Sequence, residues 1–143
     1  MYYRLTCFIS VPAIQVRNRQ VMKSPHTGAK RILKAFTYSY DGFKATFKSE
    51  AAFRQDLAVF IIGTIVALFL PVGVLEKGLL VSSLVLILLM ELANTAIEMV
   101  IDRISGDYHE LSKRAKDIGS LLVLLSFINA GIIWLAVLVR HFF

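Results

Sequence analysis

The sequence predicts an all-α membrane protein with three transmembrane helices preceded by an amphipathic surface helix. Its 143 residues are 57% hydrophobic and only 18% charged, with a mean hydropathy of +0.66. Soluble chains are roughly 45–50% apolar and about 25% charged. Three apolar stretches each match the roughly 20 helical residues needed to cross a bilayer. Basic residues are grouped before and between those stretches, as in a membrane protein with a defined orientation.

The same composition excludes several other classes of protein. Cys7 is the only cysteine, so the chain is not a small secreted domain held by disulfides. The net charge of +6 would be compatible with nucleic-acid binding in a soluble chain. Here long apolar blocks separate the charges, and we therefore expect no nucleic-acid partner.

Residues 1–29 are predicted to be an N-terminal extension to a membrane-embedded domain over residues 30–143. Pro12 and Pro25 interrupt this segment, and it has no apolar run of the length found in a cleavable signal peptide. Met22 opens a second plausible start. We expect the first 21 or so residues to be dispensable.

Residues 30–50 are predicted to form the surface helix. Their apolar and aromatic residues recur at spacings of three and four, with lysines and one aspartate between them. A basic amphipathic helix beside a membrane span is typical of the membrane surface. A cytosolic helix that packs on its own protein is the alternative.

The three predicted spans are residues 57–75, 78–101 and 118–139. The turn after the first span carries one basic residue, whereas the connection after the second, residues 102–117, carries four. The positive-inside rule then places the N-terminus and the second connection in the cytoplasm. The short turn and the C-terminus face the periplasm or the exterior.

The second span contains acids that a bilayer would ordinarily exclude, since a charge at the helix centre costs about 2.5–3.5 kcal/mol. At 100° per residue, Glu91, Asn94, Glu98 and Asp102 form one stripe about 80° wide. The stripe could simply hold helices together, but an amide alone would suffice for that. Acids at this spacing favour either divalent-metal binding or proton abstraction by the most buried acid.

The connection at residues 102–117 adds four bases, four acids, a tyrosine and a histidine at the end of this stripe. It could be a solvated loop, or its cations could neutralise phosphates. The chain has no phosphate-loop, protein-kinase, HExxH or EF-hand motif.

Four segments resemble the prokaryotic diacylglycerol kinase family. They are ELANTAIEMVIDR (91–103), YHELSKRAKDIGS (108–120), RILKAFTYS (31–39) and EAAFRQ (50–55). The similarity runs from about Gly28 to the C-terminus. It implies a small trimeric kinase of the bacterial cytoplasmic (inner) membrane, with active sites shared between subunits, that transfers the γ-phosphoryl group of MgATP to diacylglycerol and yields phosphatidic acid.

The resemblance also implies roles for individual residues. Glu91 matches the proton acceptor and Asn94 lies in the same polar catalytic cluster, while Glu50 and Glu98 match the Mg²⁺ ligands. The residues that match ATP contacts are Arg31, Tyr38, Glu50, Glu98, Asp107, Tyr108, His109, Lys116 and Asp117. Those that match lipid-substrate contacts are Arg31, Ala35, Phe36, Tyr38, Ser39, Tyr40, Gln55, Glu91 and Ser120.

Two alternatives stay open at the level of sequence. Related kinases phosphorylate a polyprenol, so undecaprenol is a second possible acceptor. A proton- or cation-handling membrane protein would explain Glu91 and Glu98 as a relay, but it would not explain the bases gathered at the end of the stripe.

Overall fold

A computed structural model describes residues 28–104 and 106–142. These residues form four α-helices and no strand: α1 (Ala29–Ser49), α2 (Ala51–Phe69), α3 (Val74–Ile104) and α4 (Glu110–Phe142). Helices α2, α3 and α4 are each long and apolar enough to cross a membrane. The predicted fold class is therefore confirmed, and the chain has the plan of a multi-pass membrane protein. Most of the predicted extension, residues 1–27, lies outside the described residues.

Helix α1 begins next to Gly28, whose φ of 67° is strained for any residue with a side chain. The residues up to Thr37 belong to a different compact unit from residues 38–143. The apolar side chains of α1, such as Ile32, Phe36 and Phe43, are exposed. This exposure fits the predicted surface helix. The ring of Phe43 contacts that of Phe53 at the start of α2, with centroids 5.7 Å apart.

The first span ends earlier than predicted. Helix α2 stops at Phe69 rather than Leu75, and Leu70 has an extended backbone with φ −63° and ψ 138°. Pro71 explains this difference, because its ring disfavours helical geometry in the preceding residue. The first turn of α3 is formed by residues 74–77, of which 74 and 75 were predicted in the first span and 76 and 77 in the turn.

The segment after the second span is more helical than predicted. Helix α3 continues to Ile104 and α4 begins at Glu110, so only residues 105–109 connect them. An ion pair between Lys113 and Asp117, four residues apart at 2.6 Å, supports the first turns of α4. The polar end of the bundle is thus built on helices.

Helix α3 lies between α2 and α4 and contacts both. Two small apolar clusters join the three helices: Ala67, Leu80 and Val137 form one, and Leu84, Ile87 and Ala130 form the other. The bundle has two polar ends. We call them the turn end, residues 70–77 with Arg140, and the loop end, residues 98–117.

Candidate active site

The stripe predicted on α3 runs from the interior of the bundle to its surface. Glu91 is 5% exposed and Asn94 is 9% exposed. Glu98 is half-buried and Asp102 is exposed. At 1.5 Å per residue, Glu91 lies about 10 Å deeper along the helix than Glu98. The structure therefore confirms a row of polar groups that leads from solvent into the apolar region.

Glu91 lies among other acids. Its carboxylate interacts electrostatically with those of Asp56, Glu98 and Glu50, with Asp56 the strongest of the three. We call these four residues the acidic cluster. Within the described part of the chain, none of them forms a salt bridge. Carboxylates that lie close together repel one another, so the cluster is suited to bind a cation or to hold a proton.

Asp56 is the member of this cluster that the sequence analysis missed. It is 9% exposed, although its neighbour Gln55 is exposed. The sequence contains a pattern that predicts this burial, because residues 53, 56, 60, 63 and 67 recur at spacings of three and four. Phe53 and Ala67 on that stripe are buried, so the spacing could have predicted that Asp56 faces the bundle.

Asn94 connects the deep and shallow parts of the stripe. Its Nδ2 donates a hydrogen bond of 3.2 Å to Oε1 of Glu98. Its Oδ1 is buried and has no hydrogen-bond partner among the described residues. This amide faces the buried Gly119 of α4. The hydrogen-bonded pair of Asn94 and Glu98 thus lies next to a contact between α3 and α4.

A cavity of about 390 Å³ opens at the outer end of the stripe. Its lining includes both Asp102 and five residues that match ATP contacts: Asp107, Tyr108, His109, Lys116 and Asp117. Lys116 pairs with Asp102 at 2.5 Å and also interacts electrostatically with Glu98. Lys116 therefore links the cavity electrostatically to the acidic cluster. The lysines of the cavity suit an anionic ligand.

The remaining candidate residues lie outside this cavity. Tyr38, Ser39 and Tyr40 are exposed on α1, and Arg31, Ala35 and Phe36 are exposed on its first turns. Gln55 is exposed on α2, and Ser120 is exposed on α4 beside the buried Gly119. The described residues of a single chain do not enclose these side chains in one site.

No group of three or more histidine, cysteine, aspartate or glutamate side chains in residues 28–104 and 106–142 is arranged to hold a metal ion. Magnesium, however, commonly uses only one or two carboxylates together with substrate phosphates and water. Glu50 and Glu98 both interact with Glu91, and they supply the hard oxygen donors that Mg²⁺ requires. The donor set thus fits a magnesium ion shared with a nucleotide.

Comparisons with a family model and with individual known proteins point to the same family. Residues 37–138 match the prokaryotic diacylglycerol kinase family. A diacylglycerol kinase of Escherichia coli K12 is 45% identical over 121 residues, which cover 85% of this chain and 99% of the relative. One of Pseudomonas aeruginosa is 42% identical over 112 residues, covering 78% and 91%. One of Helicobacter pylori J99 is 37% identical over 107 residues, covering 75% and 84%.

Proposed function

The chain belongs to the prokaryotic diacylglycerol kinase family, and from that membership we propose that it transfers the γ-phosphoryl group of ATP to the hydroxyl group of diacylglycerol, forming phosphatidic acid and ADP. The observation that supports this reaction best is the buried Glu91 within the acidic cluster. The cluster leads along one helix face to a cavity that contains lysines. Transfer from a soluble donor to a lipid acceptor requires the buried Glu91 to lie deeper in the membrane than the cavity for the donor.

Glu91 is the proposed general base. As the acceptor oxygen bonds to the γ-phosphorus and the bond to the β-phosphate bridging oxygen breaks, the hydroxyl proton passes to the Glu91 carboxylate. Phosphoryl transfer depends chiefly on positioning and charge neutralisation. The depth of Glu91 in the bundle would place its carboxylate next to the hydroxyl group of a lipid held near the bilayer surface. Asn94 would hold the neighbouring Glu98 carboxylate through its hydrogen bond.

Nucleotide binding is proposed at the cavity of the loop end. Lys116 would leave Asp102 to meet phosphate oxygens, and Tyr108 and His109 would contact the remainder of the nucleotide. Arg31 and Tyr38 of α1 are proposed as further ATP-binding residues. Glu50 and Glu98 would hold Mg²⁺, which would supply charge neutralisation for the phosphates.

Lipid binding is proposed along α1 and the adjoining helix ends. The residues that would contact diacylglycerol are Arg31, Ala35, Phe36, Tyr38, Ser39, Tyr40, Gln55, Glu91 and Ser120. All except Glu91 are exposed in the single chain. This supports a site completed by the bilayer and by a neighbouring copy.

A homotrimer with shared active sites is the proposed assembly. Large apolar side chains of all three spans are exposed. The residues proposed for ATP and lipid lie partly in the cavity and partly outside it. A second copy would bring the exposed set against the cavity, and the remaining apolar faces would contact lipid.

The proposed location is the bacterial cytoplasmic membrane, with α1 and the loop end in the cytoplasm. Four basic residues lie at 102–117, against one in the turn between α2 and α3. The positive-inside rule supports this orientation. It also brings the nucleotide cavity to the side that contains ATP.

The acceptor can be tested directly with the full-length chain reconstituted in phospholipid vesicles with MgATP labelled at the γ-phosphate. We expect labelled phosphatidic acid when diacylglycerol is present. The Glu91→Gln variant should lose about 10²- to 10⁴-fold in turnover, the usual contribution of a general base. Its thermal unfolding should match that of the unsubstituted protein.

Two outcomes would contradict the proposal. Phosphorylation of undecaprenol alone would assign the chain to the polyprenol alternative. Full turnover by Glu91→Gln would remove Glu91 from the role of base.

A further inference from the structure

Helix α4 approaches the Asn94 amide at a residue that has no side chain. A Cβ atom added to Gly119 would overlap Oδ1 of Asn94 and lie 3.2 Å from its Cγ. The same Cβ would lie 3.6 Å from the Cα of Asn94, an ordinary van der Waals distance. The backbones of α3 and α4 therefore have room for an alanine at 119, and only the amide group stands in its way.

The backbone of α4 does not require glycine at this position. Gly119 lies within the helix, and Gly28 is the only described glycine with a positive φ. Glycine is the least favourable residue in a helix interior apart from proline. The absence of a side chain must therefore serve the contact rather than the helix.

The contact determines how the Asn94 amide is oriented. Because Oδ1 has no hydrogen-bond partner among the described residues, the surface of Gly119 and the hydrogen bond from Nδ2 to Glu98 hold the amide in place. Because Oδ1 and Nδ2 are bonded to the same Cγ, a rotation that moves Oδ1 away from Gly119 also moves Nδ2 relative to Glu98.

We infer that Gly119 is a positioning residue for the carboxylate of Glu98 and acts through Asn94. The inference rests on the proposed role of Glu98 in holding Mg²⁺. A substitution that fills the space at 119 should weaken metal binding while the bundle stays folded. Outer residues that orient a metal ligand typically change metal affinity by about 10- to 100-fold.

The test compares three alanine variants of the full-length protein. Gly119→Ala is the substitution of interest. Gly63→Ala is the matched control for close packing, because its Cβ would lie 2.6 Å from Cδ1 of Leu84 in an apolar contact between α2 and α3. Gly78→Ala controls for the substitution itself, since no atom lies within 4 Å of its Cβ.

Metal binding is measured without turnover, as Mn²⁺ bound by the protein in detergent with a non-hydrolysable ATP analogue, followed by electron paramagnetic resonance. We expect Gly119→Ala to bind Mn²⁺ about tenfold more weakly. The Mg²⁺ concentration for half-maximal kinase activity should rise by a similar factor, with a smaller change in turnover at saturating Mg²⁺. Gly63→Ala and Gly78→Ala should retain the original metal affinity.

A double-substitution cycle tests whether Asn94 carries the effect. Asn94→Ala removes the atoms that an alanine at 119 would overlap, so adding Gly119→Ala to it should change Mn²⁺ affinity less than twofold. Independent effects would instead multiply. If Gly119→Ala alone failed to fold, the double variant would still test the inference, because its Mn²⁺ affinity must match that of Asn94→Ala.

Three results would overturn the inference: unchanged Mn²⁺ affinity in Gly119→Ala, an equal loss in Gly63→Ala, or a double variant clearly weaker than Asn94→Ala. The Glu98→Gln variant separates this failure from failure of the proposed function. If Glu98→Gln binds Mn²⁺ normally, the proposed metal site is wrong. If it binds weakly while Gly119→Ala binds normally, only the role of Gly119 is wrong.

Discussion

The turn end and the acidic cluster both contain acids of α3, but those acids have different kinds of neighbour. At the turn end, Glu76 accepts a hydrogen bond of 2.8 Å from the backbone N–H of Gly73 and pairs with Arg140 at 3.3 Å. Lys77 donates to the carbonyl oxygen of Leu68 at 2.6 Å. Each of these charged side chains has a partner within the chain.

In the acidic cluster, the more deeply buried Glu91 has other acids as its electrostatic neighbours. A carboxylate that is paired within the chain stabilises the fold and is not available to accept a proton or bind a ligand. Carboxylates kept close together repel one another, and this raises the free energy of the folded chain until a cation or a proton binds. This contrast supports the proposal that the turn end serves stability, whereas the acidic cluster and the adjoining loop end serve binding and catalysis.

The largest expected difference between the two ends concerns metal dependence. Glu98→Gln should raise the Mg²⁺ concentration for half-maximal activity by more than about a hundredfold, beyond the loss typical of an outer positioning residue. Glu76→Gln makes the same chemical change at the turn end and should leave that concentration within about twofold. Kinase assays at varied Mg²⁺ and saturating ATP measure both values. Equal responses of the two variants would erase the functional distinction between the ends.

A smaller difference is expected for the lysines. Lys116→Met should raise the KM for ATP about tenfold, equivalent to about 1.4 kcal/mol, because the charge that meets phosphate is removed. Lys77→Met, in which the lost lysine donates a hydrogen bond to a backbone carbonyl at the opposite end of the bundle, should leave that KM unchanged. Steady-state kinetics at saturating Mg²⁺ provide the comparison. A raised KM for ATP in Lys77→Met would show that the effect of charge is not confined to the loop end.

The smallest effect is expected on stability at the turn end. Arg140 is 80% exposed, and exposed ion pairs contribute about 0–1 kcal/mol. Arg140→Gln should therefore lower the thermal unfolding midpoint by at most a few degrees and leave turnover unchanged. Circular dichroism in detergent together with the kinase assay tests this. Loss of turnover without loss of stability would mean that Arg140 contributes to the reaction, contrary to the comparison.

Much of the fold was predictable because lipid imposes a simple requirement on sequence. Long, predominantly apolar stretches indicated three spans, and periodic spacing indicated α1. Helix ends were predictable only to within a few residues: the first apolar run continues to Leu75, but α2 ends at Phe69, ahead of Pro71. The polar segment before the third span became helical because its charges pair along and between helices, as in Lys113 with Asp117 and Lys116 with Asp102.

The candidate site was predictable where its residues share one helix. Glu91, Asn94 and Glu98 are placed on one face by helical geometry alone, and their graded burial follows from the length of the span. Asp56 was not predicted as a site residue because it directly precedes an apolar run, where a solvated acid at a helix end is common. Its burial depends on which face of α2 meets α3.

The amino-acid sequence by itself determined the number of spans, the unusual acids within the second and the basic end near which they lie, because hydropathy and helical periodicity are properties of a single segment. Only the tertiary structure decided that Asp56 joins those acids and that Gly119 admits the Asn94 amide. Contacts of this kind depend on the rotation and separation of neighbouring helices, which no single helix encodes.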